Sequence, residues 1–516
     1  MKFLMILSCL VLYVALTFAQ SCPGRPHPQN CSGGKDEGVR HLHGCISDPN
    51  NEMWYYNHNL NRCIKMQYHG CGGNFNRYCS LVSCQPNCPV FLTISLTGKT
   101  LQDTFLEVNW GPNCYGPPQW VGIYGQDPTI SNFQPEFRID GIANRTGKMI
   151  TPIKLGKLHF PGGWNRQDGG DQPAIRYPTG KCLAHFVASY NGTELLTVDC
   201  LKIQPNWISQ IKDVSQMPLK NIFLPGTHAS GAFVGSSSKT NSILVRDYLV
   251  AQQFDVWSQL VFGIRYLDFS IGYKNMNTEN DADNFWIANE NMLIAPLVAI
   301  LRDVRLFVKR SGEMIVLDFS SFPIGFYKHP EIYSSLFRLL RQELGDVAYR
   351  RNVTQDEHCA NRNFRELLQQ NRHLVILFPT QELPYPENES NMICPPWRRF
   401  STSFMNISQT LDYMRLLFSK KPDSPVRDDG WIFTAVRSME QTLNTHQLQT
   451  AKERAAVLNP KVTQWLKGPW GNNANVVAMD YFSNTNIVDL AIQVNARKAF
   501  IMANEDYINL EILNLC

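Results

Sequence analysis

Leu219-Lys220-Asn221-Ile222-Phe223-Leu224-Pro225-Gly226-Thr227-His228-Ala229 is the stretch from which the fold of this chain is read. A short apolar run meets Pro225-Gly226 and then exposes Thr227-His228. That pattern predicts a buried strand ending in a tight turn, because proline and glycine cannot continue a ladder and supply the turn geometry. A histidine at the C-terminal end of such a strand stands where α/β barrels carry their chemistry.

Downstream, apolar runs at 263–271, 285–288, 314–320, 373–378, 431–436 and 476–481 alternate with helical patterns at 242–260, 296–309, 330–344, 363–371, 407–417 and 447–467. Continuous apolar strands separated by amphipathic helices predict a parallel sheet covered by helices, so residues 206–516 read as a TIM-type α/β barrel. Cys359 and Cys394 are placed to staple its long loops.

The 516 residues give room for several domains, and the net charge of +4 is too small to call for nucleic acid or an anionic membrane. Residues 1–19 read as a secretory signal: Lys2, an apolar run at 3–18, then Thr17 and Ala19 at a small-residue cleavage pattern. No later run is long enough to span a bilayer. A secreted, extracellular chain is expected. Loss of Cys9 with the signal leaves 14 of the 15 cysteines, an even number suited to an oxidising compartment. Sequons at Asn30, Asn144, Asn191, Asn352, Asn388 and Asn406 predict glycosylation.

Eight cysteines crowd between Cys22 and Cys88. A segment that short buries little core, so crosslinks must supply its stability. Residues 89–205 show short alternating runs and poor helical periodicity, which predicts an all-β sandwich of about seven strands. Cys182 and Cys200 fall on two adjacent strand candidates and could bridge. No metal or catalytic cluster is visible there, and no cofactor is called for. Cys114 and Cys516 have no assigned partner.

Residues 20–88 resemble the Kunitz protease-inhibitor domain. The resemblance rests on Trp54-Tyr55-Tyr56-Asn57, on Gly70-Cys71-Gly72-Gly73-Asn74, and on the spacing of Cys63, Cys71, Cys84 and Cys88. It implies the pairs Cys31–Cys88, Cys45–Cys71 and Cys63–Cys84, with Cys22–Cys79 as an extra bridge, and a serine protease as partner. The residue that would enter the protease pocket is Ile46, followed by Ser47-Asp48-Pro49. An apolar side chain cannot meet the buried aspartate that reads Lys or Arg, so trypsin-like targets are disfavoured and an elastase-like one is the alternative. The other reading is a Kunitz scaffold kept for different binding.

Residues 206–516 resemble the X domain of phosphatidylinositol-specific phospholipase C, and the Trp120-to-Tyr124 run resembles a strand preceding such barrels in secreted arthropod relatives. The barrel motifs are Pro225-Gly226-Thr227-His228, Gly263-Ile264-Arg265-Tyr266-Leu267-Asp268, Leu317-Asp318-Phe319 and the run from Val476 to Asp480. The resemblance implies His228 as general base, oriented by Asp480. The second histidine, the general acid, is replaced by Asn289. Its orienting carboxylate is replaced by Ala229, and the phosphate-binding arginine by Ser270. A calcium-assisted version fares no better. Asp268 could ligate, but Ala229 and Ser270 stand where other oxygen ligands belong. A missing acid costs about 10²–10⁴-fold and a lost charge-stabilising donor about 10²–10³-fold. The expected outcome is a secreted binding protein whose barrel keeps a pocket, with Asp268 and Glu290 on its wall, for an inositol phosphate or other anion. The alternatives are a live phosphodiesterase acting on phosphatidylinositol or its glycosylated form, with Glu290 as acid, and a protease inhibitor acting through Ile46.

Overall fold

The structure is a computed structural model. It describes residues 35–41, 49–57, 62–74, 76–78, 90–96, 104–111, 117–131, 133–144, 146–167, 181–236, 248–277, 280–351, 358–379, 390–418, 430–436, 450–467 and 469–513. The signal region, Ile46, Asn30, Asn352, Asn388 and Cys22, Cys31, Cys45, Cys79, Cys84, Cys88, Cys114 and Cys516 lie outside the described residues.

In the N-terminal module, β1 (Asn50–Asn57) and β2 (Arg62–Tyr68) pair as an antiparallel hairpin. Met53, Tyr55, Met66 and Tyr68 form its small core. The Arg77 guanidinium stacks over the Tyr68 ring at 4.0 Å, and Cys71 is disulfide-bonded.

The next module is two antiparallel sheets. One orders β3 (Val90–Ile94), β4 (Phe105–Trp110) and β7 (Gly147–Lys154). The other orders β6 (Phe137–Asp140), β5 (Trp120–Tyr124), β8 (Lys181–Asn191) and β9 (Glu194–Ile203). Leu92, Leu106 and Val108 of the first sheet share one core with Val121, Ile123, Val187 and Ile203 of the second. Cys182 and Cys200 form a disulfide between β8 and β9. The sequon residues Asn144, Asn191 and Asn406 are all exposed.

The C-terminal module is built on a curved sheet. Its parallel strands, from one end to the other, are β15 (Leu374–Leu377), β14 (Ile315–Ile324), β11 (Tyr266–Tyr273), β10 (Leu224–Thr227), β18 (Val476–Met479), β17 (Trp431–Ala435) and β16 (Arg398–Ser401). Leu377 bridges in parallel to Cys394, just before β16, so the two ends of the sheet meet. The Cys359–Cys394 disulfide anchors that segment. Every residue of β10, β15, β17 and β18 is buried, as covered parallel strands require. The cover comes from α1 (Val256–Phe262), α2 (Leu297–Ser311), α3 (Pro330–Leu344), α4 (Phe364–Gln370), α5 (Ile407–Phe418), α6 (Ala451–Leu466) and α7 (Ile487–Leu513). Among the described residues, no helix is long and apolar enough to cross a membrane.

Two features depart from the sequence-based expectation. The run at 285–288 is not a parallel strand. It is β12 (Phe285–Asn289), antiparallel to β11 and to β13 (Met292–Pro296). The turn Asn289-Glu290-Asn291-Met292 is too short for a crossover and permits only a hairpin. And β16, with the sequence Arg-Arg-Phe-Ser, carries no apolar run at all.

The sheet module and the curved sheet share one continuous core. Arg265 and Glu313, both fully buried, pair at 2.9 Å directly beneath the chain that joins them. Arg265 donates to the carbonyls of Gln204 (3.1 Å) and Pro205 (2.8 Å). Glu313 accepts from the amides of Ile208 (2.9 Å) and Ser209 (2.8 Å). A buried ion pair persists only with its remaining donors and acceptors satisfied, and here the linker backbone satisfies them.

Candidate functional site

The C-terminal ends of β10 and β18 lie side by side, with Thr227 in register with Met479. Each chain then leaves through a left-handed residue: Ala229 has φ 43° and Tyr481 φ 46°. These twin turns swing His228 and Asp480 together, and His228 Nδ1 donates to Asp480 Oδ1 at 2.8 Å. Gln252 fastens both turns, its Nε2 donating to the carbonyls of His228 (2.8 Å) and Met479 (2.9 Å). Asp480 therefore does not cap the following helix. The first amide of that helix, that of Ile487, donates instead to Thr485 Oγ1 at 3.2 Å.

Desolvation lowers the His228 pKa, but the charge and hydrogen bond of Asp480 outweigh it, with Asp268 adding and Arg399 opposing. The net direction is upward, so the ring carries its proton above the usual imidazole range.

Next to this pair, Asp268 and Asp318 face each other across β11 and β14. Both are buried. Arg399 enters between them from β16: its guanidinium donates to Asp268 Oδ2 at 3.1 Å and to Asp318 Oδ2 at 2.7 Å. Tyr266 donates to the same Asp318 oxygen at 2.7 Å. Burial pushes Asp318 up to about 6 against the pull of Arg399. Asp268 is desolvated too, but the charges of Arg399 and His228 and hydrogen bonds from Ser320 and Arg399 together hold it below the usual carboxylate value. Arg399 itself is driven up: burial lowers it, and the two carboxylates more than compensate. The pair of aspartates is thus already spent on a guanidinium, and it does not fit a calcium ion.

Ala229, Ser270 and Asn289, expected from the sequence to stand where catalytic groups belong, are all at this end of the sheet. Ser270 Oγ lies 2.6 Å from Ser321 Oγ. Asn289 Nδ2 donates to the Leu249 carbonyl at 2.7 Å, so its amide is fastened to backbone. Ala229 supplies no polar group. Glu290 is exposed at the hairpin turn with φ 50°, and the burial that service as an acid needs is lacking. A cavity of about 300 Å³ opens here, lined by His228, Asp480, Ser270, Asn289, Glu290 and Arg454. Asp268 lies outside that lining.

Sequence reasoning missed Arg399 and Arg454. Nothing in Arg398-Arg399-Phe400-Ser401 marks a strand, so the alternation that turns Arg399 inward was not visible. Arg454 sits on α6, where a single arginine in a charged helix carries no signal. Arg454 lines the same cavity as His228 and Asp480.

A Kunitz/bovine pancreatic trypsin inhibitor domain model matches residues 31–89. The chain is 33% identical over 85 residues to Kunitz-type serine protease inhibitor textilinin-4 of Pseudonaja textilis textilis, covering 16% of this chain and 90% of that protein. It is 31% identical over 94 residues to anticoagulant protein rhipilin-2 of Rhipicephalus haemaphysaloides, covering 17% of this chain and 47%, about half, of that protein. Through this N-terminal module the chain belongs to the Kunitz family. Among solved structures it is similar to the phosphatidylinositol-specific phospholipase C of Staphylococcus aureus, at 16% identity and TM-score 0.42, covering 56% of this chain and 97% of that one. It is also similar to the enzyme of the same name from Listeria monocytogenes, at 17% identity and TM-score 0.42, covering 55% and 98%.

Proposed function

We propose that this chain is a secreted binding protein in which a Kunitz module and a β-sandwich precede a phospholipase-C-like barrel that binds an anion without hydrolysing a phosphodiester. The observation that carries this reading is the contrast within one cavity. His228 and Asp480 are paired at 2.8 Å, while Asn289, the residue at the place of the acid, has its amide fastened to the Leu249 carbonyl. His228, whose pKa is shifted upward against desolvation chiefly by Asp480, lines one wall with Arg454, and together they favour negative charge. Asn289, at the acid's place, carries a carboxamide and has no titratable proton to give a leaving alkoxide. An inositol phosphate suits a pocket of about 300 Å³ with hydroxyl and amide groups at Ser270, Ser321 and Asn291 on its wall.

Purified protein incubated with phosphatidylinositol vesicles tests this. Release of inositol phosphate, abolished in His228→Ala, would overturn the reading. Saturable binding of myo-inositol 1-phosphate without turnover supports it.

A second activity is favoured by the match to residues 31–89: inhibition of a serine protease through the loop at Ile46. Elastase inhibition that is lost in Ile46→Asp supports it, and no inhibition of any pancreatic serine protease sinks it.

A further inference from the structure

We propose that Glu107 of the sheet module is a positioning residue for the His228–Asp480 pair, acting through Asn484. The proposal deepens the reading of the barrel pocket given above, yet its geometry stands without any ligand.

Asp480 begins a tight turn. Tyr481 takes a left-handed φ of 46° and a single 3-10 turn, Phe482–Asn484, follows. A non-glycine residue in that conformation is unfavourable and persists only where its surroundings fix it. Part of the fixing comes from the barrel. Asn459 Nδ2 donates to the Asp480 carbonyl at 2.8 Å, and the Tyr481 amide donates to Ala251 O at 2.7 Å. The far end of the turn is held from the other module. Asn484 Nδ2 donates to the Ile94 carbonyl at 3.0 Å and to Glu107 Oε2 at 3.1 Å.

Glu107 stands 2% exposed in the middle strand of its three-stranded sheet, where a carboxylate is costly. Its remaining oxygen valences are filled by Thr93 Oγ1 at 3.2 Å and Lys148 Nζ at 3.0 Å. The sheet also contributes an apolar wedge: Leu96 packs with Val250, Ala451 and Tyr481. Ala451 lines the pocket itself. The sheet module thus holds the turn after Asp480 with one buried carboxylate, through Asn484, and packs one buried leucine with Tyr481 and the cavity-lining Ala451.

The alternative is that this contact only docks two modules. Docking alone would change stability and leave the His228–Asp480 geometry unchanged. The test is a proton NMR titration of the His228 ring in the full-length chain, the resonance being assigned by its disappearance in His228→Asn. Three variants are compared: Glu107→Gln, Asn484→Ala, and Thr151→Val. The last removes a buried hydroxyl whose hydrogen bonds, to Leu106 O at 2.8 Å and from the Ile153 amide at 3.3 Å, stay within the same sheet. Glu107→Gln and Asn484→Ala should lower the His228 midpoint toward the ordinary imidazole value of about 6.5, as Asp480 loses its place. Thr151→Val should lower the melting temperature and leave the midpoint where it was. Asn484→Ala leaves Glu107 with Thr93 and Lys148, so it answers the question if Glu107→Gln does not fold. Melting temperatures that fall in all three with no movement of the midpoint overturn the proposal. Failure of wild-type protein to bind inositol phosphate would sink the anion-binding reading and leave this titration intact as the test of positioning.

Discussion

Asp480 Oδ1 stands 2.8 Å from His228 Nδ1 although 252 residues separate them. The contact follows from the pairing of the two strand ends and from the left-handed residue after each. Its electrostatic consequence is measurable. The folded His228 pKa lies above the unfolded value of about 6.5. The pair therefore contributes stability fully below about pH 6.5, and this is lost as pH rises through the higher folded value. In Asp480→Asn the His228 midpoint should fall, and that loss of stability on raising pH should shrink. Thermal melts across pH 5 to 8 check the second part (roughly the range in which histidine titrates).

Affinity for inositol phosphate should follow the same group. If the pocket binds this anion as proposed, binding should be strongest while His228 is protonated and should weaken as pH rises through its folded pKa, which is raised. Arg454→Met should weaken binding and leave the pH midpoint of the effect in place. Isothermal titration at several pH values reads both, and affinity that is flat with pH would remove His228 from the binding site.

Asp318 has the opposite environment from a salt-bridged surface carboxylate. Its folded pKa is raised to about 6, above its unfolded value. The fold thus favours the protonated acid. That contribution is fully present below about pH 3.9 and disappears as pH rises through about 6. Asp318→Asn should flatten the stability profile across this window.

Removing Arg399 leaves Asp268 and Asp318 buried without a cation. Breaking a buried pair from one side costs about 3–5 kcal/mol, and the low end applies because the Arg399 side chain is 29% exposed. Urea denaturation of Arg399→Met should show that loss, and Asp268→Asn in the same chain should recover part of it.

Installing the groups that the proposed reading takes as missing is a direct trial of that reading. Asp tolerates left-handed backbone better than most residues, so Ala229→Asp fits φ 43°. Asn289→His alone should give no turnover. The triple variant Ala229→Asp, Ser270→Arg, Asn289→His should release inositol phosphate above background, a general acid alone contributing about 10²–10⁴-fold. No release from a folded triple variant would show that the backbone of the site, and not only its side chains, departs from a working geometry.

The sequence was most legible where local chemistry and tertiary role coincide. Pro225-Gly226-Thr227-His228 needs its turn for local reasons, and the turn is what presents His228. The Cys182–Cys200 and Cys359–Cys394 bridges both formed as their placement on neighbouring elements suggested. Strand direction at 285–289 was not legible, because an apolar run looks the same in either direction. Only the shortness of the connection to Met292 settles it. Arg399 was hidden because β16 holds only four residues, half of them arginine. Its buried environment is created by Asp268 and Asp318, which lie 131 and 81 residues away along the chain.

The passage from Gln204 to Ser209 looks, on a domain map, like a seam. Its carbonyls and amides are instead the ligands of the Arg265–Glu313 charge pair. Cutting there would strip a guanidinium and a carboxylate of their solvation deep inside the barrel. The sheet module and the barrel should consequently melt in a single transition and resist proteolysis at their joint. A barrel expressed from residue 210 onward would begin life with a naked charge pair at its base.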